Sequence, residues 1–362
     1  MLQPNAPLSS RIEQEGGRVI LFDRPRPSIL KPLHFISYFY RNIRDIVALC
    51  KREHVDVIQC HLSDAEFVGI FAGYWAGVER VLTTLHYPDL LPISRHRLDP
   101  RNSLRRLATR FLYRWVNAVI AVSEDVAAKV REFVWVSPDK VFTIINGIDP
   151  GPFLMAKPDP DLAKNLGLGA GNRVLLTVAR LMPPKGHVYL IEAMGLLVKD
   201  HPDIQLLLAG DGDLKEQLKA QCNAQGVSDH VHFLGSRTDV SDLLALTDIF
   251  VIPSMWEGTS LALLEAMAAE KAIVATDIPG NRAVLVSPKC GVLVPPGDSE
   301  SLGVAISYLL EHPEVASEYG QTAGRVVRER FDIRKSIAQL QVLWGKPSVT
   351  GPGGPMQDPK YA

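Results

Sequence analysis

The chain has 362 residues, enough for two ordinary domains or one large one, and its 46% hydrophobic and 22% charged residues are usual globular values. A net charge of −1 excludes the broad basic excess of a nucleic-acid binder, so no nucleic-acid partner is expected. Cys50, Cys60, Cys222 and Cys290 lack metal or redox spacing, no signal-peptide pattern follows Met1, and the longest apolar run, Phe67 to Val78, is too short to span a bilayer; these features point to a cytoplasmic protein with reduced core thiols.

In chain order, Pro7 to Gly16 reads as a short helix and Arg18 to Phe22 as a strand. A helix over Phe35–His54 presents Ile36, Phe39, Tyr40, Ile43, Ile46, Val47 and Cys50 on one face. Strands follow at Asp56–Cys60, Arg80–Leu85, Ala118–Val122 and Val141–Ile145, with helices at Ala65–Ala76, Leu104–Trp115 and, capped by Ser123, up to Phe133. Short apolar strands alternating with helices predict a parallel sheet covered on both faces. Pro150 to Gly171 reads as a linker with a small helix.

A second alternation begins at Arg173. Strands are predicted at Val174–Ala179, Ile204–Ala209, Val231–Leu234, Ile249–Pro253, Ala272–Thr276 and Val292–Val294. Helices are predicted at His187–Lys199, Asp213–Gln225, Val240–Leu246, Leu261–Glu270, Ser299–Leu310, Pro313–Arg328 and Ile333–Trp344. The expected architecture is two doubly wound Rossmann-like domains facing each other across a cleft, residues 1–152 and 153–345, followed by a disordered tail at 346–362. Ligands bind outside the carboxyl ends of the strands of such sheets, which selects the loops holding His86, Arg180 to Lys185, Gly210 to Gly212, Gly235 to Arg237, Ser254 to Ser260 and Asp277 to Asn281.

Two carboxylates, Glu257 and Glu265, stand eight apart where a strand turns through Gly258, Thr259 and Ser260 into a helix. That turn gathers free backbone N–H groups and attracts phosphate. The pair could flank a diphosphate and hold hydroxyls on either side of it, as a nucleotide-sugar would require. On spacing alone a blander reading stands beside this one: a solvated Glu offsetting the helix dipole, and an unrelated surface Glu. Arg180 and Lys185, in ARLMPPKGH on a neighbouring loop at the same sheet edge, supply two cations suited to a diphosphate.

AGDGDLKEQL fails the dinucleotide fingerprint because Lys215 stands at the third glycine position; Gly210 still permits close ligand approach, and Asp211 and Asp213 read as a turn and an N-cap. His86 ends a strand, and no second histidine lies at metal-ligand spacing, so no metal is expected. His230 and His232 alternate on a strand, one inward and one outward. Arg95 to Arg114 holds seven arginines and one acid, with Arg106, Arg110 and Arg114 on one helix face; it suits an anionic membrane surface, an anionic acceptor, or plain solvent.

Together, EGTSLALLEAMA within IPSMWEGTSLALLEAMAAEKAIVATDIPGN, ARLMPPKGH, VIAVSEDVAAKV with IINGID, and TTLHYPD resemble a family 4 retaining glycosyltransferase of the GT-B fold over about residues 7 to 340. The resemblance implies a nucleotide-sugar donor, a glycan, lipid or small-molecule acceptor, retention of anomeric configuration, and no metal or other cofactor. It implies that Arg180 and Lys185 hold the donor diphosphate and that Glu257 contacts the transferred sugar. It places Gly258, Thr259 and Ser260 near that sugar, Glu265 on the ribose, His232, Phe233 and Leu234 near the base, and His86 on the sugar and acceptor side. Nothing before Gly16 matches the family's first strand, glycine-rich loop and second strand, so those elements are expected to be missing. Two other readings share the architecture: a nucleotide-binding remnant without turnover, and a nucleotide-sugar epimerase.

Overall fold

A computed structural model describes residues 12–22, 24, 27, 32–61, 63–86, 111–133 and 136–345. The chain divides into two compact units, residues 1–84 with 107–119, and residues 85–106 with 120–362.

In the first unit α1 (Pro32–Glu53) packs on α2 (Ser63–Ala76) through Ile43, Val68 and Ala72, flanked by Phe39 and Phe71. The apolar Phe67–Val78 run is a helix as far as Ala76, with Val68, Ile70 and Ala72 buried and Phe67, Tyr74 and Trp75 exposed. Its Gly69 and Gly73 lie directly over Cys60 Sγ and the Val81 side chain, so the helix sits close on the sheet. β1 (Val57–His61) and β2 (Arg80–Leu85) pair in parallel, and the sheet continues through β3 (Ala118–Ala121) in the order β1-β2-β3-β4. The Ser123 hydroxyl accepts from Val126 N at 3.3 Å and opens α3 (Glu124–Phe133), as its sequence predicts. β4 is Val141–Thr143.

The strand expected at Arg18–Phe22 does not form. No described strand runs beside it, so its backbone groups have no ladder to join; Arg18 instead pairs with Glu53 at 3.1 Å. The expected helix at Leu104 starts outside the described residues, as do most of Arg95–Arg114 and the tail beyond residue 345.

The linker stretch holds two short helices, α4 (Gly151–Met155) and α5 (Pro160–Asn165), the second capped by Asp159 accepting from Asp161 N at 2.9 Å. The second sheet is built from β5 (Arg173–Val178), β6 (Ile204–Ala209), β7 (Val231–Gly235), β8 (Ile249–Ile252), β9 (Ala272–Thr276) and β10 (Val292–Val294). All pairings are parallel, in the order β10-β9-β8-β5-β6-β7.

Successive residues of a strand face opposite ways. Leu175, Leu206, Leu208, Val251 and Val274 therefore enter one core with Leu190 and Met194. Leu176, Leu207, Phe250, Ile252, Ile273 and Ala275 enter the other with Leu264 and Met267. Burial on both faces is why these strands read as unbroken apolar runs.

The helices are α6 (His187–Asp200), α7 (Lys215–Gln225), α8 (Val240–Ala245), α9 (Leu261–Ala268), the single turn α10 (Pro279–Arg282), α11 (Ser299–Glu311), α12 (Pro313–Arg330) and α13 (Ile333–Leu343). Asp213 does not cap α7. The Leu214 amide donates to Leu181 O at 3.1 Å, so the turn is tied to the loop after β5 and the helix starts one residue later, at Lys215. Among the described residues no helix is long and apolar enough to cross a membrane.

The strand order locates the site. The chain runs outward through β5, β6 and β7, then returns to the other side of β5 for β8, β9 and β10. The order reverses between β5 and β8, and a ligand crevice belongs outside their carboxyl ends.

Candidate active site at the β5–β8 switch point

The loops leaving these strands are tied together by backbone hydrogen bonds. Leu181 N donates to Asp211 O at 3.0 Å, Gly210 N to Gly235 O at 2.8 Å, and Met255 N to Pro184 O at 2.8 Å. The loops after β5, β6, β7 and β8 thus form one rim. Pro183–Lys185 makes a single 3-10 turn that ends at Gly186, with φ +67°. A Cβ there would lie 1.9 Å from Pro253 O, so only glycine lets the two loops meet.

Lys185 and Glu257 come together on this rim. Lys185 Nζ lies 2.5 Å from Glu257 Oε1, and their side chains are 19% and 6% exposed. Ser254 Oγ donates to the same Oε1 at 2.9 Å. Behind them Thr276 Oγ1 donates to Ser254 O at 2.5 Å, and Asn281 Nδ2 donates to Thr276 O at 2.9 Å. Gly280 abuts the Glu257–Gly258 turn, where an ideal Cβ would fall 2.2 Å from Gly258 O. Ser254, Thr276 and Asn281 are fully buried.

Gly258, Thr259 and Ser260 lead into α9, whose first turn is capped by Ser260 Oγ accepting from Leu263 N at 3.4 Å. The remaining N–H groups of that turn make the helix start an anion-attracting end. Thr259 Oγ1 donates to Val122 O at 2.9 Å. Glu265 sits on α9 between Leu264 and Ala266, both fully buried. Its carboxylate has no hydrogen-bond or ion-pair partner among the described residues, and burial raises its pKa. Arg180 is exposed on the same rim and likewise makes no side-chain bond among the described residues.

His187, two residues beyond Lys185, is 1% exposed, and neither ring nitrogen has a hydrogen-bond partner among the described residues. Burial, with the Lys185 charge a lesser cause, lowers its pKa to about 4, so the ring is neutral.

The other candidates lie on or beside β7 and β2. His232 is the second residue of β7, three before its carboxyl end, with Nε2 2.7 Å from Gln205 Oε1; Phe233 and Leu234 lead from it toward the rim. His230 precedes the strand in a 3-10 turn and contacts Ile204 O at 2.9 Å. Both histidines are half-buried, so the expected inward and outward alternation does not occur. His86 is half-buried at the carboxyl end of β2, and burial lowers its pKa. Ser254 and Asn281 were marked in the sequence only as ends of candidate ligand loops, and Thr276 and His187 carried no functional signal. The first three are small polar residues that read as turn or strand positions.

Residues 4–151 match Glycosyltransferase Family 4 and residues 159–326 match Glycosyl transferases group 1. The chain is 29% identical over 317 residues to the UDP-Gal:alpha-D-GlcNAc-diphosphoundecaprenol alpha-1,3-galactosyltransferase of Escherichia coli, an alignment covering 84% of this chain and 79% of that one. It is 29% identical over 327 residues to the alpha-maltose-1-phosphate synthase of Mycolicibacterium smegmatis, covering 84% and 82%. Its fold superposes on Anabaena Alr3699/HepE, solved in complex with UDP and glucose, with a TM-score of 0.78 and 25% identity over 94% of this chain and 90% of that one. With two parallel-sheet domains and both halves matched in sequence, the chain belongs to glycosyltransferase family 4 of the GT-B fold and is an enzyme that transfers sugar.

Proposed function

We propose that this enzyme moves a sugar from a nucleotide diphosphate donor to an acceptor with retention of anomeric configuration and without a metal ion. The observation that carries the reading is the pairing of Lys185 with Glu257 across the β5–β8 switch point. It sets a cation for the diphosphate beside a carboxylate for the transferred sugar. Arg180 adds the second cation, bidentate where Lys185 is a point charge, and both would offset the charge that builds on the departing nucleotide diphosphate. The start of α9, with Gly258, Thr259 and Ser260, faces the phosphates and sugar. The unpartnered Glu265 carboxylate suits the ribose hydroxyls, Gly210 lets the ligand close on the backbone, and His232 to Leu234 lie toward the base. His86 takes the sugar and acceptor side.

Hydrolysis assays across UDP-, GDP- and ADP-sugars, with and without EDTA, test this reading. One donor should turn over at the same rate in EDTA, and Arg180→Ala should weaken nucleotide binding about tenfold or more while leaving the unfolding temperature unchanged. A folded protein that binds none of these donors would refute it. An EDTA-sensitive rate would refute metal independence.

For the acceptor we propose a glycan, lipid or small molecule met at an anionic membrane surface. Tyr74 and Trp115 stack at 4.4 Å and Phe111 lies 5.1 Å from Trp115. Tyr74, Trp75, Phe111 and Arg114 are exposed beside them, rings and a cation of the kind that settle at headgroup level. Cosedimentation with phosphatidylglycerol vesicles but not phosphatidylcholine vesicles is the expected result, and equal recovery with both would remove the charge-based reading.

A further inference from the structure

We propose that Ser254, Thr276 and Asn281 are positioning residues that fix which oxygen of Glu257 meets the substrate. The inference rests on the reading that Glu257 contacts the transferred sugar.

The proton bookkeeping supports one direction through the chain. The Ser254 hydroxyl has one proton, and it points at Glu257 Oε1 over 2.9 Å. The Thr276 hydroxyl likewise has one, committed to Ser254 O at 2.5 Å, so its lone pair accepts from Asn281 Nδ2 at 3.3 Å. Asn281 spends its other amide proton on Thr276 O at 2.9 Å. Backbone carbonyls only accept, so no member can reverse its role without losing a bond, and all three residues are fully buried. At the end of the chain Oε1 takes both donors, Ser254 and Lys185. Oε2 has none among the described residues, which makes it the acceptor left for a sugar hydroxyl.

The two donors reach Oε1 from different loops, so the carboxylate cannot rotate about its last bond without breaking both. Gly280, one residue before Asn281, lies against the carbonyls of Glu257 and Gly258, with an ideal Cβ 2.6 and 2.2 Å away. The loop after β9 therefore braces the backbone of the Glu257 turn, while Asn281 holds Thr276 and, through it, the Ser254 backbone.

The test has two arms. The first needs no ligand. Ser254→Ala should lower the unfolding temperature by about 2 °C or more, and that loss should vanish in a Glu257→Ala background. Thr247→Val removes a comparable buried hydroxyl-to-carbonyl bond, to Leu243 O at 2.8 Å, far from the chain of residues, and its cost should be the same in both backgrounds.

The second arm uses whichever of UDP-, GDP- or ADP-glucose the wild type hydrolyses fastest. Ser254→Ala and Thr276→Val should lower kcat/KM about tenfold while the inhibition constant of the free nucleotide diphosphate moves less than twofold. Thr276→Ser keeps the hydroxyl and should restore the rate, and Thr247→Val should leave it unchanged. The proposal is overturned by an additive cycle in the first arm. It is also overturned if the variants weaken free nucleotide as much as they lower kcat/KM, or if they change neither. If the wild type hydrolyses none of the three, the proposed activity fails for those donors, and the ligand-free cycle alone decides for or against the hydrogen-bonded chain.

Discussion

Replacing Lys185 by Met keeps the bulk of the side chain and removes its charge. Two unit charges separated by the 2.5 Å of the Lys185–Glu257 contact attract by on the order of 7 kcal/mol at an effective dielectric of ~20. Desolvation of both groups takes back much of that. The loss on breaking such a pair is therefore set less by Coulomb energy than by the carboxylate left behind, only 6% exposed and with Ser254 as its remaining donor.

We expect a loss of about 3 kcal/mol, at the lower end for a buried pair because Lys185 is itself partly exposed. For a unit of this size that corresponds to a fall in unfolding temperature of roughly 6–12 °C. The assay is thermal unfolding followed by circular dichroism, for Lys185→Met, Glu257→Gln and the double variant. The double variant should recover more than half of the loss, because a neutral amide needs no cation. The drop for Lys185→Met should also be nearly the same at low and high salt, since Glu257 is shielded from mobile ions. A double variant as unstable as Lys185→Met would show that the pair is not what holds the two loops.

Glu265 carries a raised pKa from burial, so its folded form binds a proton more readily than the unfolded chain does. Its carboxylate therefore costs stability at neutral pH, and the cost fades as pH falls toward its ordinary value of 4.5. Glu265→Gln should raise the unfolding temperature at pH 7 and lose that advantage by about pH 4.5, while binding nucleotide more weakly; equal binding would sink the ribose role. His187 has the opposite sign. Its folded pKa of about 4 lies below the usual 6.5, so wild type should lose stability as pH falls from 6.5 to 4, and His187→Leu should lose less over that interval in pH-scanned unfolding. Gly186→Ala would drive a Cβ to 1.9 Å from Pro253 O at a φ of +67°. It should lower the unfolding temperature by several degrees and abolish calorimetric nucleotide binding.

The second sheet was legible because its strands are buried on both sides. Leu206 to Leu208 and Ile249 to Ile252 have no polar residue to blur them, and the predicted bounds lie within a residue of those observed. Ser123 was legible as a cap because its hydroxyl acts locally. Asp213 was not a cap, because a long-range bond from Leu214 to Leu181 outcompetes local capping. The Arg18–Phe22 strand failed for a related reason: strand formation depends on a neighbour, and the sequence does not name one.

The candidate site was legible as loops and residue types but not as contacts. Lys185 and Glu257 are 72 residues apart, and their meeting follows from β5 pairing with β8 rather than with β6 alone. Ser254, Thr276 and Asn281 look like ordinary turn and strand polar residues until that pairing brings their loops together.

The pairing itself is uneven. β5 and β6 are in register over six residue pairs, from Arg173–Ile204 to Val178–Ala209, while β5 and β8 share only Leu175–Ile249 and Leu176–Phe250. Past that point the seam is carried by separate contacts: Thr177 Oγ1 on Val251 O at 2.8 Å, Met255 N on Pro184 O at 2.8 Å, and Lys185 on Glu257. The sheet is thus a zipper closed at one end and buttoned at the other. A ligand gripped by both loops adds a second button. Its concentration then sets how often the seam opens, so amide exchange along β8 should slow as the site fills.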